Sequence, residues 1–412
     1  MVEVLVERCA GLDVHMRSVA ACVRTPGPGR SRRSEVRTFL TFTGTLRELA
    51  GWLAAERVTE VAMEATGVYW KPVWDVLEDA GFEVKLVNPQ HIKAVPGRKT
   101  DVKDAQWIAQ LLECGLLTAS FVPPREIREL RDLTRYRRRL VESRAREQMR
   151  LAKLLEGAHV KLNSVVSDLC GVTSRLILDA MCDGERDPDV LADLAKQKLR
   201  RKIDELRQAV PGRFNEHHAF MVREILTQID QLQVAIARID RRVDEVMVPF
   251  SWARDLLATI PGIKGRNAEI IIAEIGVDMD RFPTAEHLAS WAGVCPGNRE
   301  SAGKQRSGAT RHGNPWLQSA LVEAAWSASR TRGCSMQTRF WRIAKRRGVN
   351  KAAMAVAHHL LIVIWHLLTE HATYNELGAD YLARRDDPAR RQRTLIHQLE
   401  QLGLKVTTEP AA

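Results

Sequence analysis

Hydrophobic residues follow two different periods along the first part of the chain. Short apolar runs typical of strands are AGLDVHM, SVAACVRT, SEVRTFLTF, TEVAMEAT and FEVKLV. Apolar residues at helical spacing mark GTLRELAGWLAAER, VYWKPVWDVLEDAG and DVKDAQWIAQLLECG. The order is three strands, then helix, strand, helix, strand and helix. This pattern predicts an α/β domain in which helices pack on a sheet.

That order of elements is typical of a ribonuclease H-like fold, which we predict for residues 1–120. Almost only helical patterns follow in residues 121–250, so the fold class is α/β plus all-α. The clearest helical pattern alternates three and four residues apart, and such an a/d seam predicts a coiled coil. One long amphipathic helix packed within its own domain is the alternative. The seam consists of Val222, Ile225, Ile229, Leu232, Ile236, Ile239, Val243 and Val246.

A third, mostly helical region is predicted for residues 251–375, followed by a charged tail over residues 376–412. Its opening segment IPGIKGRNAEII resembles a helix-hairpin-helix element, whose exposed N–H groups suit a phosphate. A Pro-Gly junction between two helices, without a ligand, explains the same residues. The apolar segment AMAVAHHLLIVIWHLL is interrupted by histidines and is short for a membrane span of about 20 residues. We therefore expect a buried helix there and no membrane partner.

Charge and cysteine content narrow the class of protein further. The 412 residues include 62 Lys and Arg against 51 acids, a net charge of +11. Residues 125–150 hold ten arginines against five acids, including the run RYRRR. That run suits a phosphate-binding face, although a solvated helix with many salt bridges is the more common explanation. Seven scattered cysteines without C-x-x-C spacing indicate a reducing compartment, and we expect a cytoplasmic protein.

Four acidic residues lie where a ribonuclease H-like fold would bring them together. Asp13 interrupts the apolar strand GLDVH, and Glu64 ends the strand of VAMEATG. Asp101 and Asp104 begin the helix of KTDVKDA. Neighbouring carboxylates need a compensating charge, and Mg²⁺ would supply it and assist phosphoryl transfer. Taken singly, Asp101 and Asp104 can cap a helix, whereas a lone carboxylate such as Asp13 in an apolar strand is costly unless paired.

The segment ESAGKQRSG carries hydroxyl and basic side chains close together. The hydroxyl of Ser301 can attack phosphorus if its proton is removed, and Ser307 is a rival in the same segment. A loop that only binds phosphate is the ordinary alternative. We assign nucleic-acid contacts to basic residues of this and other motifs, namely Lys99, Lys264, Arg299, Lys304, Arg306 and Arg311.

The ordered motifs resemble those of one transposase family. GLDVH, MEATG and KTDVKDA, followed by IPGI, RFPTAEHLASWAGVCPG, ESAGK and RHGNPWL, are similar to the DEDD transposases of bacterial insertion sequences, the insertion sequence one-ten family. The resemblance covers roughly the first hundred residues and the segment from about 255 to 330. The helical middle is alike in character only.

This resemblance implies a Holliday-junction-resolvase-like N-terminal domain, a coiled-coil middle and a C-terminal transposase domain. Asp13, Glu64, Asp101 and Asp104 would hold Mg²⁺, and Ser301 would become joined to DNA. The family also implies a guide RNA encoded by the element, a bridge RNA that pairs with donor and target DNA. It further implies a homo-oligomer, a dimer that becomes a tetramer at synapsis, in which the acids of one subunit meet the serine of another. Ala302 departs from the glycine that the family loop often has.

We therefore predict an RNA-guided DNA recombinase that uses Mg²⁺ and a serine nucleophile. A metal-dependent nuclease or junction resolvase, in which the carboxylates do all the chemistry, is the alternative within enzymes. A non-catalytic nucleic-acid-binding scaffold, in which the acids only cap helices, is the alternative outside them.

Overall fold

A computed structural model describes the parts of the chain on which the fold depends. The described residues are 4–29, 31–65, 67–89, 104–297, 299–301, 304–307, 310, 312–381 and 388–407. The chain divides into two compact units, Met1–Val122 and Pro123–Ala412. The finer division of the second unit at residue 250 stays a prediction.

The first unit contains a five-stranded mixed sheet. Its strands are β1 (Cys9–Val14), β2 (Ser18–Pro26), β3 (Arg32–Leu40), β4 (Glu60–Glu64) and β5 (Glu83–Val87), in the order β3-β2-β1-β4-β5. Its helices are α1 (Thr43–Ala55), α2 (Trp70–Asp79) and α3 (Asp104–Glu113). β1 runs antiparallel to β2 and parallel to β4. The predicted order of strands and helices is confirmed, and this topology is that of a ribonuclease H-like domain.

The two faces of the sheet are covered by different helices because successive side chains of a strand point to opposite faces. Ala10 and Leu12 of β1 lie in a core with the buried residues of α1 and α2. Cys9 lies in a second core with Ile108 and Leu111 of α3. Alternate residues of β1 therefore face α3, and Asp13 belongs to this second set.

Gly11 lets α3 approach the sheet more closely than any other residue would allow. A Cβ atom at this position would lie 2.3 Å from both the Ala105 carbonyl oxygen and the Ala109 nitrogen. Both atoms belong to the helix backbone, which cannot move aside as a flexible side chain can. The glycine in GLDVH thus sets the spacing between β1 and α3.

The C-terminal end of α3 is fastened to the sheet by a buried carboxylate. Glu113 is 3% exposed and accepts a hydrogen bond from Arg24 Nε of β2 at 2.8 Å and another from Arg32 of β3. A buried charge is tolerated when it is paired and hydrogen-bonded in this way. The pairing fixes α3 at one end, while Gly11 fixes its distance from the sheet.

The second unit is built mainly from helices. They are α4 (Arg125–Gly157), α5 (Leu162–Val165), α6 (Val172–Cys182), α7 (Pro188–Asp193), α8 (Ile203–Ala209), α9 (Glu216–Val246), α10 (Ser251–Leu257), α11 (Gly265–Ile275), α12 (Ala285–Ala292), α13 (Pro315–Ala328), α14 (Ser335–Arg347), α15 (Val349–Glu370) and α16 (Pro388–Gln401). Short 3-10 helices cover Gln197–Lys202, Val248–Phe250 and Met279–Arg281. Two short strands, β6 (Arg299–Ser301) and β7 (Lys304–Ser307), pair with each other.

The two long helices α4 and α9 pack side by side and run in opposite directions. Arg137 of α4 pairs with Asp240 of α9, and seven residues further along α4, Arg144 contacts Gln233, seven residues earlier in α9. Of the predicted seam, Val222, Ile225, Ile229, Ile236 and Val243 are buried. The long amphipathic helix is confirmed, and these five seam residues are buried inside the chain itself. The supercoiling of a coiled coil stays a prediction.

The apolar segment near residue 360 forms α15, which lies against α12, α13 and α14. It alone among the described helices is long and apolar enough to cross a membrane by length and composition. Leu360, Leu361 and Ile364 are fully buried inside the unit. These contacts agree with the prediction of a buried helix.

Substituting Gly11 by alanine tests the close approach of α3. The added methyl would collide with the backbone of α3, so we expect the free energy of unfolding to fall by about 1–3 kcal/mol. Gly51→Ala is the matched control, because a Cβ there meets nothing within 4 Å and the residue lies inside α1. The control should be stabilised by about 0.5–1 kcal/mol. Chemical denaturation measures both, and equal changes would refute the account.

Candidate active site

Asp13 and Glu64 lie on neighbouring parallel strands at the same edge of the sheet. Leu12 of β1 pairs with Met63 of β4, and the two acids stand one residue further along each strand. Adjacent strands lie about 4.8 Å apart. Ala62 lies in the core beneath α3 and Met63 in the core beneath α1 and α2, so alternation puts Glu64 on the α3 side. Both acids therefore share the face that α3 covers.

Asp104 comes to this edge because α3 runs antiparallel to β1. The Glu113 carbonyl accepts hydrogen bonds from the backbone N–H groups of Leu5 and Val6, and the Ala109 carbonyl accepts one from the Cys9 thiol. Moving along β1 therefore means moving towards the start of the helix. Asp104 is the first residue of α3 and lies at the end where Asp13 stands.

The described acidic side chains at this edge do not form a cluster of metal ligands. The Nε2 atom of His15 lies 3.1 Å from Asp13 Oδ2, and the Asp13 side chain is 21% exposed. Among the residues that the structure describes, no group of three or more His, Cys, Asp or Glu side chains is close enough to hold a metal ion. Asp101, the fourth predicted carboxylate, and Lys99, a predicted nucleic-acid contact, lie outside the described residues.

The segment with Ser301 forms a β-hairpin, where the sequence interpretation was a loop. Ser301 of β6 pairs with Lys304 of β7, and this is the pair of the ladder whose residues are closest in sequence. Ser307 pairs with Arg299 at the other end of the ladder, beyond a bulge at Arg299 and Glu300. Strand pairing was missed because the segment is polar and lacks the alternation of a half-buried strand. The two candidate serines thus hold different positions along one ladder.

The hairpin connects α12 to α13, and the end of α12 packs against the start of α13 at its base. Gly313 packs against the end of α12, since a Cβ there would lie 2.3 Å from the Ala292 carbonyl oxygen. Gln318 Nε2 donates to the carbonyl oxygens of Ala292 and Gly293 at 3.0 and 2.9 Å. Asn314 caps α13 by accepting hydrogen bonds from the next backbone N–H groups. These contacts therefore hold the start of α13 against the end of α12, the two helices that flank the hairpin in the chain.

A buried ion cluster contacts the cap of α13. Glu274, the penultimate residue of α11, is fully buried, and both of its oxygens accept hydrogen bonds from Arg135 of α4, each at 2.8 Å. Asn314 Nδ2 donates to Glu274 Oε2 at 2.6 Å. Bidentate pairing with arginine is the strongest way to satisfy a buried carboxylate. One side chain thereby joins α4, α11 and the cap of α13.

Arg131 completes the cluster at the end of α11. It donates to the carbonyl oxygens of Ala273 and Glu274 at 3.0 and 2.7 Å, which otherwise lack a partner at a helix end. Burial lowers the pKa of Arg131 to about 10, and the guanidinium remains charged at neutral pH. Sequence reasoning missed this cluster, although an acid inside the apolar run AEIIIAEIG was a usable signal.

The arginine side chains of the run RYRRR all contact other residues of the second unit. Arg135 and Arg139 both stack on the ring of Trp316, with guanidinium carbons 5.5 and 4.9 Å from the ring centroid. Other contacts of the run join Arg135 to Glu274, Arg137 to Asp240, Arg138 to Ser319 and Arg139 to Glu142. The salt-bridged helix therefore explains the run better than a phosphate-binding face.

The remaining predicted nucleic-acid contacts are distributed over the second unit. Lys264 is exposed at the N-cap of α11, and the turn before it joins α10 to α11. Asn267 Nδ2 donates to the Ala320 carbonyl at 3.0 Å, so α11 is held on α13. Three further residues lie on the hairpin, namely Arg299, Lys304 and Arg306. Arg311 lies outside the described residues.

Comparison with known proteins matches two parts of the chain to transposase family models. Residues 10–160 match a family model named for the DEDD transposase of IS110 and described as a transposase. Residues 254–340 match the transposase family IS116/IS110/IS902. Between them the two models cover more than half of the chain.

Two relatives extend the similarity over most of the chain. A putative transposase, y4pF/y4sB, of Sinorhizobium fredii is 26% identical over 341 residues, 80% of this chain and 78% of that protein. The transposase for insertion sequence element IS1111A of Coxiella burnetii is 24% identical over 337 residues, 78% and 81% of the two chains. Among solved structures, RuvC of Thermus thermophilus aligns with 27% of this chain and 99% of its own, at 14% identity and a TM-score of 0.22.

Removing the Glu274 carboxylate tests the support of the hairpin base. Glu274→Ala leaves Arg135 and Asn314 without their shared partner, and we expect the free energy of unfolding to fall by about 3–5 kcal/mol. Glu323→Ala removes an acid that pairs with Arg138 at 3.2 Å on the surface, and should cost less than about 1 kcal/mol. Denaturation of both variants measures the difference. Similar losses in the free energy of unfolding would show that the buried cluster stabilises the unit no more than the surface pair does.

Proposed function

This chain belongs to the IS110 family of insertion-sequence transposases, and we propose that it cuts and rejoins DNA through a carboxylate site and the hydroxyl of Ser301. One observation carries the proposal. Within the first unit, the register of β1 and β4 and the direction of α3 bring Asp13, Glu64 and Asp104 to one edge of the sheet. The motif with Ser301 lies in the second unit on a hairpin between α12 and α13, whose neighbouring ends are held together by Gln318.

The carboxylate edge would hold a divalent cation, for which Mg²⁺ is the proposed ion. Carboxylate oxygens are the ligands that hard cations prefer, and Asp13, Glu64, Asp104 and Asp101 supply them. A bound cation would polarise the scissile phosphate and stabilise charge on its oxygens. The carboxylates would fix where that charge is neutralised, because Gly11 sets the distance of α3 from β1 and Glu113 anchors the far end of the helix.

Ser301 would act as the nucleophile on a DNA phosphate. Its Oγ forms a bond to phosphorus while the bond from phosphorus to one deoxyribose oxygen breaks, and the hydroxyl proton ends on that leaving oxygen. The product is a phosphoserine diester, which keeps the energy of the broken bond for rejoining. Attack by a deoxyribose hydroxyl then reverses these bond changes and frees Ser301.

Basic residues near the hairpin would neutralise DNA phosphates. We propose Arg299, Lys304 and Arg306 on the hairpin and Lys264 at the N-cap of α11 for this role, since cations near a backbone supply affinity without sequence readout. Lys99 and Arg311 are proposed on sequence alone. Sequence choice would come from a guide RNA of the element that pairs with donor and target DNA.

Assembly into a homo-oligomer, a dimer or a tetramer at synapsis, is proposed from the family. The seam of α9 is covered by α4 in the same chain, so a contact between subunits would need another surface. Such assembly would let the carboxylates of one subunit act with Ser301 of another. Action on bacterial DNA also fits the expected cytoplasmic location.

Ser301→Ala tests the covalent step. Without the hydroxyl no bond to phosphorus can form, so we expect the protein–DNA adduct to disappear while binding of DNA and RNA persists. Labelled DNA on a denaturing gel, with and without protease, measures the adduct. Ser307→Ala is the matched control from the same hairpin and should keep the adduct. Strand cleavage by Ser301→Ala at the normal rate would instead favour a metal-dependent nuclease or junction resolvase.

Asp13→Asn tests the carboxylate site. The change keeps the shape of the side chain and removes the charge that would bind the cation, so both strand cleavage and the adduct should fall below detection. Calorimetry should show weaker Mg²⁺ binding at the same time. Glu48→Gln, an exposed acid on α1 across the sheet, is the control and should leave cleavage and Mg²⁺ binding unchanged. Undiminished cleavage by Asp13→Asn would refute the assignment.

A further inference from the structure

A groove of about 820 Å³ lies between α14, α15 and the base of the serine hairpin. Pro296 and Thr310, which form an isolated bridge at that base, are both among its lining residues. The cationic residues that line it are Arg339, Arg342, Arg346, Arg347 and Lys351. Its volume is that of a site for an extended ligand and exceeds what a single phosphate would fill.

The charge of the groove is of one sign. No carboxylate is among its lining residues in the part of the chain that the structure describes. Arg346 and Arg347 end α14, and Lys351 stands in the first turn of α15, so these three exposed cations lie on both sides of the Gly348 junction. A concave surface lined by cations attracts a polyanion and focuses its approach.

The floor of the groove is apolar and carries two uncharged rings. Ile343, Met354 and Ile362 contribute aliphatic surface. Burial lowers the pKa of His359 to about 4, with a smaller contribution from Arg339, and burial also lowers the pKa of His358. Both imidazoles are therefore neutral at pH 7 and offer flat faces and hydrogen-bonding nitrogens. A cationic rim above a floor of this kind fits a single nucleic-acid strand, with phosphates on the rim and bases below.

The groove is lined by residues close in sequence to the candidate nucleophile. Ser301, at the end of β6, stands five residues after Pro296 of the bridge that lines the groove. At about 3.3 Å per residue this is a distance of at most roughly 17 Å, about five nucleotides of a stacked strand. We propose that this groove holds the DNA strand that runs to the scissile phosphate, an inference that rests on the proposed role of Ser301.

The experiment removes together three of the exposed rim cations, those on either side of Gly348. The variant Arg346→Ala, Arg347→Ala, Lys351→Ala is compared with Lys198→Ala, Arg200→Ala, Arg201→Ala, which removes equal charge from an exposed 3-10 helix outside the groove. Fluorescence anisotropy with a short labelled DNA strand, in EDTA, follows binding as salt is raised. In the groove variant the slope of log K against log salt should fall by about 2, since each phosphate contact contributes about 0.7. The control should keep the wild-type slope.

Each result decides one point. Arg346→Lys with Arg347→Lys should restore the slope, because phosphate contact needs charge and not the guanidinium shape. An unchanged slope in the alanine variant would overturn the proposal, as would a loss confined to a labelled RNA strand. The same measurements in the Ser301→Ala background separate the two proposals. If the groove variant has a reduced slope but the wild-type protein forms no adduct, the groove assignment stands and the nucleophile assignment fails. If the adduct forms but the slope is unchanged, only the groove assignment fails.

Discussion

The second unit depends on one fully buried carboxylate. Glu274 receives both donor groups of Arg135 and the amide of Asn314, and these three side chains come from α11, α4 and the cap of α13. An unpaired charge in such a place would cost several kcal/mol, so the three elements can meet only in the arrangement that satisfies it. Because Asn314 caps α13 and Gly313 packs against the end of α12, the cluster helps to hold the two helices that flank the hairpin.

The first unit uses a steric constraint for the same purpose. The absence of a side chain at Gly11 lets the backbone of α3 lie against β1, and Glu113 anchors the far end of the helix. Three carboxylates then reach one edge through backbone geometry alone. Both candidate sites are thus placed by residues that take no part in chemistry, one through packing and the other through charge.

Local pattern predicted much of this arrangement and failed where distant partners decide it. The order of strands and helices in the first unit followed from period alone, and Asp13 stood out as a carboxylate inside an apolar strand. The hairpin was missed because its sequence is polar and lacks the alternation of apolar and polar residues that marks a half-buried strand. The sequence could not decide whether RYRRR binds phosphate or forms salt bridges, because the partner of Arg135 lies 139 residues away and local patterns do not identify it. Asp101, Lys99 and Arg311 stay predictions from sequence.

The most direct test of the account is the identity of the residue that becomes joined to DNA. Trypsin separates the two candidates, because Ser301 falls in the peptide ESAGK and Ser307 in SGATR. After reaction with DNA and nuclease digestion, mass spectrometry should find a nucleotide on ESAGK. A nucleotide on SGATR, or DNA cleavage with no modified peptide, would contradict the assignment of Ser301 as the nucleophile.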